Sequence, residues 1–321
     1  MFEYFSSVDE SSSIPTQTVF SQQRIDAWRP LFTPFIVIII CFSIGTIFII
    51  FGAIFYGIST KQVEIDVRYD DVCGSKQNCS VNITIDNDIK SVVFLSYKLT
   101  NFFQNHQRYI SSRSYDQLRG EYVDYKGMKE CGNFRSLDDT DNKTKWILPC
   151  GAVAYSFFND TYKWDSDKIN EKFSESGISW RSDRKKIFKN LSSEYDEGFK
   201  WLSNTFAHDQ GNEHFIVWMR AAALPTFIKP YMKSSSISLP KGTYSININN
   251  SYPTSIFHGE KHIVLNTISG IGSKNNPLGL SYLIVGAIID ICGILIAISN
   301  IFFPRKLGDA NYLLSSYIDE Y

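Results

Sequence analysis

Hydrophobic and polar positions fall into three regimes along this chain. From Phe35 to Ile58, FIVIIICFSIGTIFIIFGAIFYGI, twenty-four residues pass without a charge. As a helix that run rises roughly 36 Å at about 1.5 Å per residue, enough to cross a hydrocarbon core of about 30 Å with some tilt. A helix in water would keep a polar face, and this one has none. From Pro277 to Phe303 a second run carries a single charge, Asp290, before Pro304, Arg305 and Lys306 close it. Between the two runs the pattern shortens to alternations typical of strands. The sequence therefore predicts transmembrane helices over 35–58 and 277–303 flanking a large domain, 59–276. The tails are 1–34, with its juxtamembrane segment, and 304–321. The first run exceeds the signal-peptide apolar core of about 7–15 residues, so a retained signal-anchor is expected.

Within the middle region, 61–69 (KQVEIDVRY), 80–86 (SVNITID), 241–249 (KGTYSININ) and 260–266 alternate and read as strands. Residues 91–110 start as a strand and pass into a turn or short helix. The stretch 111–145 is polar and turn-rich. Residues 151–158 (GAVAYSFF) read as a buried strand, and 161–211 as a charged surface excursion with small helices and scattered Trp164, Trp180 and Trp201. In 212–231, the densest apolar block, Phe215, Val217 and Met219 alternate against Ile216, Trp218 and Arg220. The fold class expected is a membrane protein whose two helices flank a mainly antiparallel, sandwich-like β domain of at least six strands with short helices.

Composition narrows the function. Of 321 residues 20% are charged and the formal net charge is −1, which argues against a nucleic-acid binder with its basic stripe. Basic residues do not orient the spans: Arg24 and Arg29 stand against Lys61, Arg68 and Lys76, and Lys261 and Lys274 against Arg305 and Lys306. Cysteines and sequons do. Cys41 and Cys292 lie in the spans, whereas Cys73, Cys79, Cys131 and Cys150 lie in the middle domain. Four cysteines allow three pairings, and proximity favours Cys73–Cys79 and Cys131–Cys150. Asn-x-Ser/Thr occurs at Asn78, Asn82, Asn142, Asn159, Asn190 and Asn249, all in that domain and none in either tail. Asn78 abuts a cysteine and is a poor acceptor, leaving the other five as glycosylation candidates. An oxidising lumen or the cell exterior is expected for 59–276, with both tails cytosolic.

Catalytic, cofactor and metal sites are not expected. Gly270-Ile271-Gly272 lacks the third glycine of a dinucleotide loop and precedes a span. His258 and His262 have a helical zinc spacing, but Gly259 and the alternation favour a turn and strand, which point such residues apart. Asp138, Asp139 and Asp141 sit in a polar loop. The spans say more. Gly279, Gly286 and Gly293 recur every seven residues, as do Gly45 and Gly52, and such stripes let membrane helices approach closely. Asp290 shares the stripe's face. An acid there costs about 2.5–3.5 kcal/mol on insertion scales and calls for a partner or a proton. This face is expected to meet a partner's helices.

Several blocks are familiar. SQQRIDAWRP (21–30), NFFQNHQRY (101–109), FFNDT (157–161), NEHFIVWMRAAALPTF (212–227) and NTISGIGSKNNPLG (266–279) follow one another in the order of a known pattern. Over about residues 18–305 the chain resembles the cell-division-control/ligand-effect-modulator family, the non-catalytic beta subunits of type-IV P-type ATPases. The resemblance implies a two-span subunit with a glycosylated, disulfide-bonded outer domain and no enzymatic activity of its own. Its partner ATPase would move phospholipid to the cytosolic leaflet, with the subunit serving as chaperone for folding, endoplasmic-reticulum exit and transport. The compartments implied are endoplasmic reticulum, Golgi or endosome, or plasma membrane. The family's cysteines would match Cys73, Cys79, Cys131 and Cys150, and its marked glycosylation position Asn159. Partner contacts are expected from Asn105, His106, Arg108, Tyr109, Trp218 and Arg220 outside the membrane, Asp290 within it, and Arg24 and Trp28 at the cytosolic face. Two departures stand out: an extra disulfide near the first pair is absent, and Asp290 replaces an apolar residue. The rival readings are a two-span oligomeric channel and a glycosylated ectoenzyme.

Overall fold

The computed structural model describes residues 18–20, 24–25, 32–195, 211–235 and 238–304. Two helices dominate its ends, α1 (Pro34–Thr60) and, far along the chain, a second of equal length (Asn276–Phe302). Both are long and apolar enough to cross a membrane, with mean hydropathy 2.9 and 2.4. They run one or two residues past the apolar runs at most ends, because Thr60 and Asn276 still satisfy helical backbone bonds beyond the oily stretch. Close packing divides the chain into two units, Gly52–Leu280 and the parts of the two helices outside it.

The unit Gly52–Leu280 holds eight strands among the described residues: β1 Glu64–Arg68, β2 Asn78–Ile85, β3 Val93–Leu99, β4 Thr161–Trp164, β5 Phe173–Ser174, β6 Phe227–Ser234, β7 Gly242–Asn249 and β8 Lys261–Thr267. They form a five-stranded sheet, β1-β8-β3-β6-β5, and a three-stranded sheet, β2-β7-β4, with every pairing antiparallel. One core joins them. The small sheet gives it Ile83, Ile85, Trp164, Ile246 and Ile248, and the large sheet Leu95, Leu99, Ile263 and Leu265. Strand β2 shows the two-residue period plainly: Val81, Ile83 and Ile85 are buried while Asn78, Ser80, Asn82 and Thr84 face out. A second, smaller cluster gathers Met128, Trp146, Leu148 and Tyr195 around the Cys131–Cys150 disulfide. The other bridge, Cys73–Cys79, closes the turn into β2. Both pairings are the ones proximity favours.

Three expectations need correction. Residues 151–158 are not a strand: Ala152–Tyr155 is a one-turn helix, α2, entered at Gly151 with φ of +109°. One turn, with Val153 and Ala154 buried and Tyr155 exposed, is too short for its period to be read. The block at 212–219 is likewise a helix, α3 (Glu213–Met219), capped by Asn212, whose Oδ1 accepts the His214 N–H at 2.8 Å. Phe215 to Met219 are all buried, so the apparent alternation carried no information. The supposed surface excursion contributes β4 and β5, and Trp164 lies in the core. Trp180 is 67% exposed, and Trp201 lies outside the described residues.

Candidate partner-binding surfaces

The segment leaving β3 folds back onto the turn that follows α3. Asn101 adopts φ of +57° and its amide donates to the Phe257 carbonyl. Phe102 turns inward, with ring centroids 5.0 Å from Phe257, 5.6 Å from Trp218 and 5.7 Å from Tyr109. Its N–H donates to the Pro225 carbonyl at 3.0 Å. The fully buried Gln104 accepts the Ala222 N–H at 2.9 Å, and Asn105 donates to the Ala223 carbonyl at 2.9 Å. Two motif blocks 118 residues apart thereby become one surface. It presents Phe103 (54% exposed), Asn105, His106, Arg108 and Leu224 (68% exposed). Isolated exposed apolar residues are ordinary, but clustered ones mark contact sites.

Two expected contact residues lie behind that surface. Trp218 is fully buried and donates its Nε1–H to the Val153 carbonyl at 2.8 Å, so it cannot touch a partner. Tyr109 is partly buried with its hydroxyl 2.7 Å from Ser156; burial pushes its pKa up to about 12 against that hydrogen bond. Arg220 is exposed, grips Asp183 through two bonds of 2.6 and 3.0 Å, and lies 5.3 Å from the Trp180 ring centroid. These three residues border a cleft of about 210 Å³ floored by Ile216, Val217 and Pro230.

Ionic and polar contacts fix α3 beneath the surface. The buried Lys229 ammonium donates to the carbonyls of Val217, Trp218 and Arg220 at 3.1, 2.7 and 2.8 Å. A cation at a helix C-terminus meets both the free carbonyls and the dipole. Among the described residues no carboxylate ion-pairs with it, and burial pushes its pKa well below the ordinary lysine value. At the other end burial pushes the Glu213 carboxyl up, but the N–H groups of Gly177 and Ser179, the Ser179 hydroxyl and Arg184 outweigh it and hold the pKa at about 2. A further buried knot joins four segments. Lys261 Nζ donates to Asp160 at 2.6 Å, to the Tyr252 carbonyl at 2.8 Å and to Asn250. Asp160 also accepts the Tyr69 hydroxyl at 2.6 Å and the N–H groups of Ser251 and Tyr252. Nothing in the sequence pattern singled out Lys229 or Lys261, since each sits in an alternating strand like any other polar residue.

The glycine stripe packs within the chain itself. In the helical unit a Cβ on Gly286 would fall 2.8 Å from the Gly45 carbonyl and from Ile49, and one on Gly293 would fall 3.0 Å from Cys41. A Cβ on Gly45 would overlap the Asp290 carboxylate. The stripe and Asp290 thus pack against the chain's own first helix, and Asp290 Oδ1 is buried there without a hydrogen bond. Where the helices enter the other unit, Gly279 abuts the Tyr56 backbone, and the buried Ser59 hydroxyl donates to Asn276 at 2.6 Å while accepting the Asn275 N–H at 2.8 Å.

The remaining expected residues are scattered. Arg24 is exposed, and Trp28 lies outside the described residues. Asn82, Asn142 and Asn190 are exposed, and Asn159 and Asn249 partly so. His258 and His262 do not converge: His262 contacts Asp66 and Glu260 through its two ring nitrogens, and His258 is exposed in a left-handed turn.

Comparison with known proteins bears on all of these surfaces. The model of the LEM3 (ligand-effect modulator 3) family / CDC50 family matches residues 57–306. ALA-interacting subunit 3 of Arabidopsis thaliana is 35% identical over 96% of this chain and 92% of its own. Cell cycle control protein 50A of Bos taurus is 35% identical over 89% of each chain. Phospholipid-transporting ATPase accessory subunit CRF1 of Saccharomyces cerevisiae is 32% identical over 95% of this chain and 89% of its own. The family model covers the β domain and the second helix, the relatives reach 96% of the chain, and on that extent the chain belongs to the LEM3/CDC50 family.

Proposed function

We propose that this integral membrane protein is the non-catalytic accessory subunit of a phospholipid-transporting type-IV P-type ATPase. The observation that carries the reading is the 32% identity, over 95% of the chain, to a relative named as a phospholipid-transporting ATPase accessory subunit. The architecture supports it: two apolar helices, a disulfide-bonded β domain, and an apolar-tipped surface at Phe103 and Leu224 held by hydrogen bonds between 101–105 and 222–225. In this reading residues 59–276 face the lumen or the exterior, the tails face the cytosol, and Asn82, Asn142, Asn159, Asn190 and Asn249 are the candidate glycan sites. The subunit binds the folded ATPase and not its unfolded chain, so by mass action it stabilises the ATPase during synthesis, favours exit from the endoplasmic reticulum and supports the transport cycle. Phe103, Asn105, His106, Arg108 and Arg220 contact the ATPase outside the membrane, and Arg24 and Trp28 brace its cytosolic side.

Affinity purification of the full chain in mild detergent tests the proposal. A co-purifying P-type ATPase whose lipid transport is lost on deletion of this chain is expected. Recovery of the chain alone, with unchanged lipid asymmetry in cells lacking it, would overturn the reading.

A further inference from the structure

Open sheet edges must be protected against pairing with a second copy, and three of the four edges here have visible protection. Edge strand β1 carries Glu64, Asp66 and Arg68. The β5–β6 edge carries Pro230 and Lys233, and β5 is two residues long. Edge strand β4 is four residues long, and Asn170 closes it by bonding both the N–H and the carbonyl of Trp164, at 2.9 and 2.7 Å.

Edge strand β2 has none of these devices. Its eight residues, NCSVNITI, contain no charge and no proline, and they alternate buried with exposed along their length. Among the described residues, no backbone hydrogen bond joins Asn78–Ile85 to anything but β7. A long, uncharged, alternating edge of this kind is a template for strand addition. At its centre, however, stands Asn82-Ile83-Thr84. Both Asn82 and Thr84 point to solvent while Ile83 is anchored in the core.

We infer that Asn82 carries an N-linked glycan that serves as the missing edge protection, keeping β2 from pairing with a second copy of this chain. A branched, hydrated sugar rooted mid-strand sterically bars a ninth strand from the small sheet, as a charge or proline does on the other edges. The inference rests on the lumenal or extracellular placement of 59–276 proposed above, and not on the identity of the partner.

The test uses the full chain co-expressed with its ATPase and purified in mild detergent. Peptide mass analysis should find Asn82 glycosylated. Asn82→Gln and Thr84→Val, which abolish the sequon differently, should each raise the self-associated fraction several-fold on size exclusion. Asn82→Lys, which removes the sugar but supplies a charge, should stay dispersed like the parent. Asn159→Gln, beside an edge that Asn170 already closes, should also stay dispersed. An unmodified Asn82, dispersed Asn82→Gln and Thr84→Val proteins, or an Asn82→Lys protein that associates as Asn82→Gln does would each overturn the inference. The ATPase is read in the same preparations: a glycosylated, dispersed chain that captures no ATPase sinks the proposed function and leaves this inference standing.

Discussion

Replacing Lys261 with methionine tests whether the knot around Asp160 holds the β domain together. Methionine keeps the length of the side chain and removes the ammonium. Asp160 then retains the Tyr69 hydroxyl at 2.6 Å and two backbone N–H groups, but its cation is gone. The Tyr252 carbonyl and Asn250 lose their donor as well. Both members of the pair are buried, at 2% and 0% side-chain exposure, so water does not replace what is lost. Removing one partner of a buried pair costs about 3–5 kcal/mol. The three surviving donors on Asp160 favour the lower end, about 3 kcal/mol. At roughly 2–4 °C per kcal/mol for a domain of this size, the melting temperature should fall by about 10 °C. Lys261→Met leaves the Asn159 sequon intact, so glycosylation does not confound the result. The assay is thermal unfolding of the full chain in mild detergent, followed by tryptophan fluorescence. Lys98→Met, which breaks the more exposed pair with Asp66, is the internal control and should cost no more than about 1 kcal/mol. If the two variants melt together, within a degree or two of the parent, the account of the buried knot is refuted.

Four further outcomes are expected. Gly286→Leu should force the helices apart, since even its Cβ would sit 2.8 Å from the Gly45 carbonyl; reduced accumulation of folded chain on gel filtration is the readout. Removing the Cys131–Cys150 bridge, which closes a separation of 19 residues, should cost about 3 kcal/mol in the chain-entropy account, visible as a shift in the denaturant midpoint. Because the Glu213 pKa is depressed from 4.5 to about 2, its stabilisation is complete above pH 4.5 and is lost as pH falls towards 2; Glu213→Gln should flatten acid unfolding in that window by about 1 kcal/mol after discounting solvent screening. Phe103→Asp with Leu224→Asp should leave the melting temperature within a few degrees of the parent and reduce ATPase recovery at least tenfold.

The sequence showed most where one solvent dominates a whole element. The two oily helices were legible because lipid demands apolar residues on every face, and β2 and β7 because a sheet with water on one side imposes a two-residue period. The two disulfides were legible from spacing. Legibility failed at α2, a single turn too short to show a period, and at α3, where Phe215 to Met219 are all buried and no period survives. Of the expected surface, Asn105, His106, Arg108 and Arg220 are exposed, but Trp218 is a core residue whose polar tip is satisfied by Val153. Phe103 and Leu224 were missed because exposure is a tertiary property: Phe102 and Phe103 read alike until the Pro225 carbonyl fixes which one turns inward. A helix stripe does not say which neighbour it meets, and the packing of Asp290 against Gly45 is visible only in the structure.

The distribution of sequons supplies an independent constraint on where a protein partner can sit. A glycan and a docked protein cannot occupy one surface. Asn82 on β2 and Asn249 on β7 lie on the small sheet, and Thr161, the hydroxyl residue of the Asn159 sequon, is the register partner of Asn249 on β4. Three of the five candidate sugars thus belong to the small sheet and its margin. The segments 101–109 and 212–231 carry no sequon at all, and around them the chain exposes Phe103, Leu224 and, beside the Phe257 carbonyl that Asn101 grips, Ile256. Large apolar groups left in water near a hydrogen-bonded, rigid turn are costly unless something covers them. In the proposed arrangement, sugars on the small sheet would keep other copies of the chain away and leave the sequon-free turns to the ATPase.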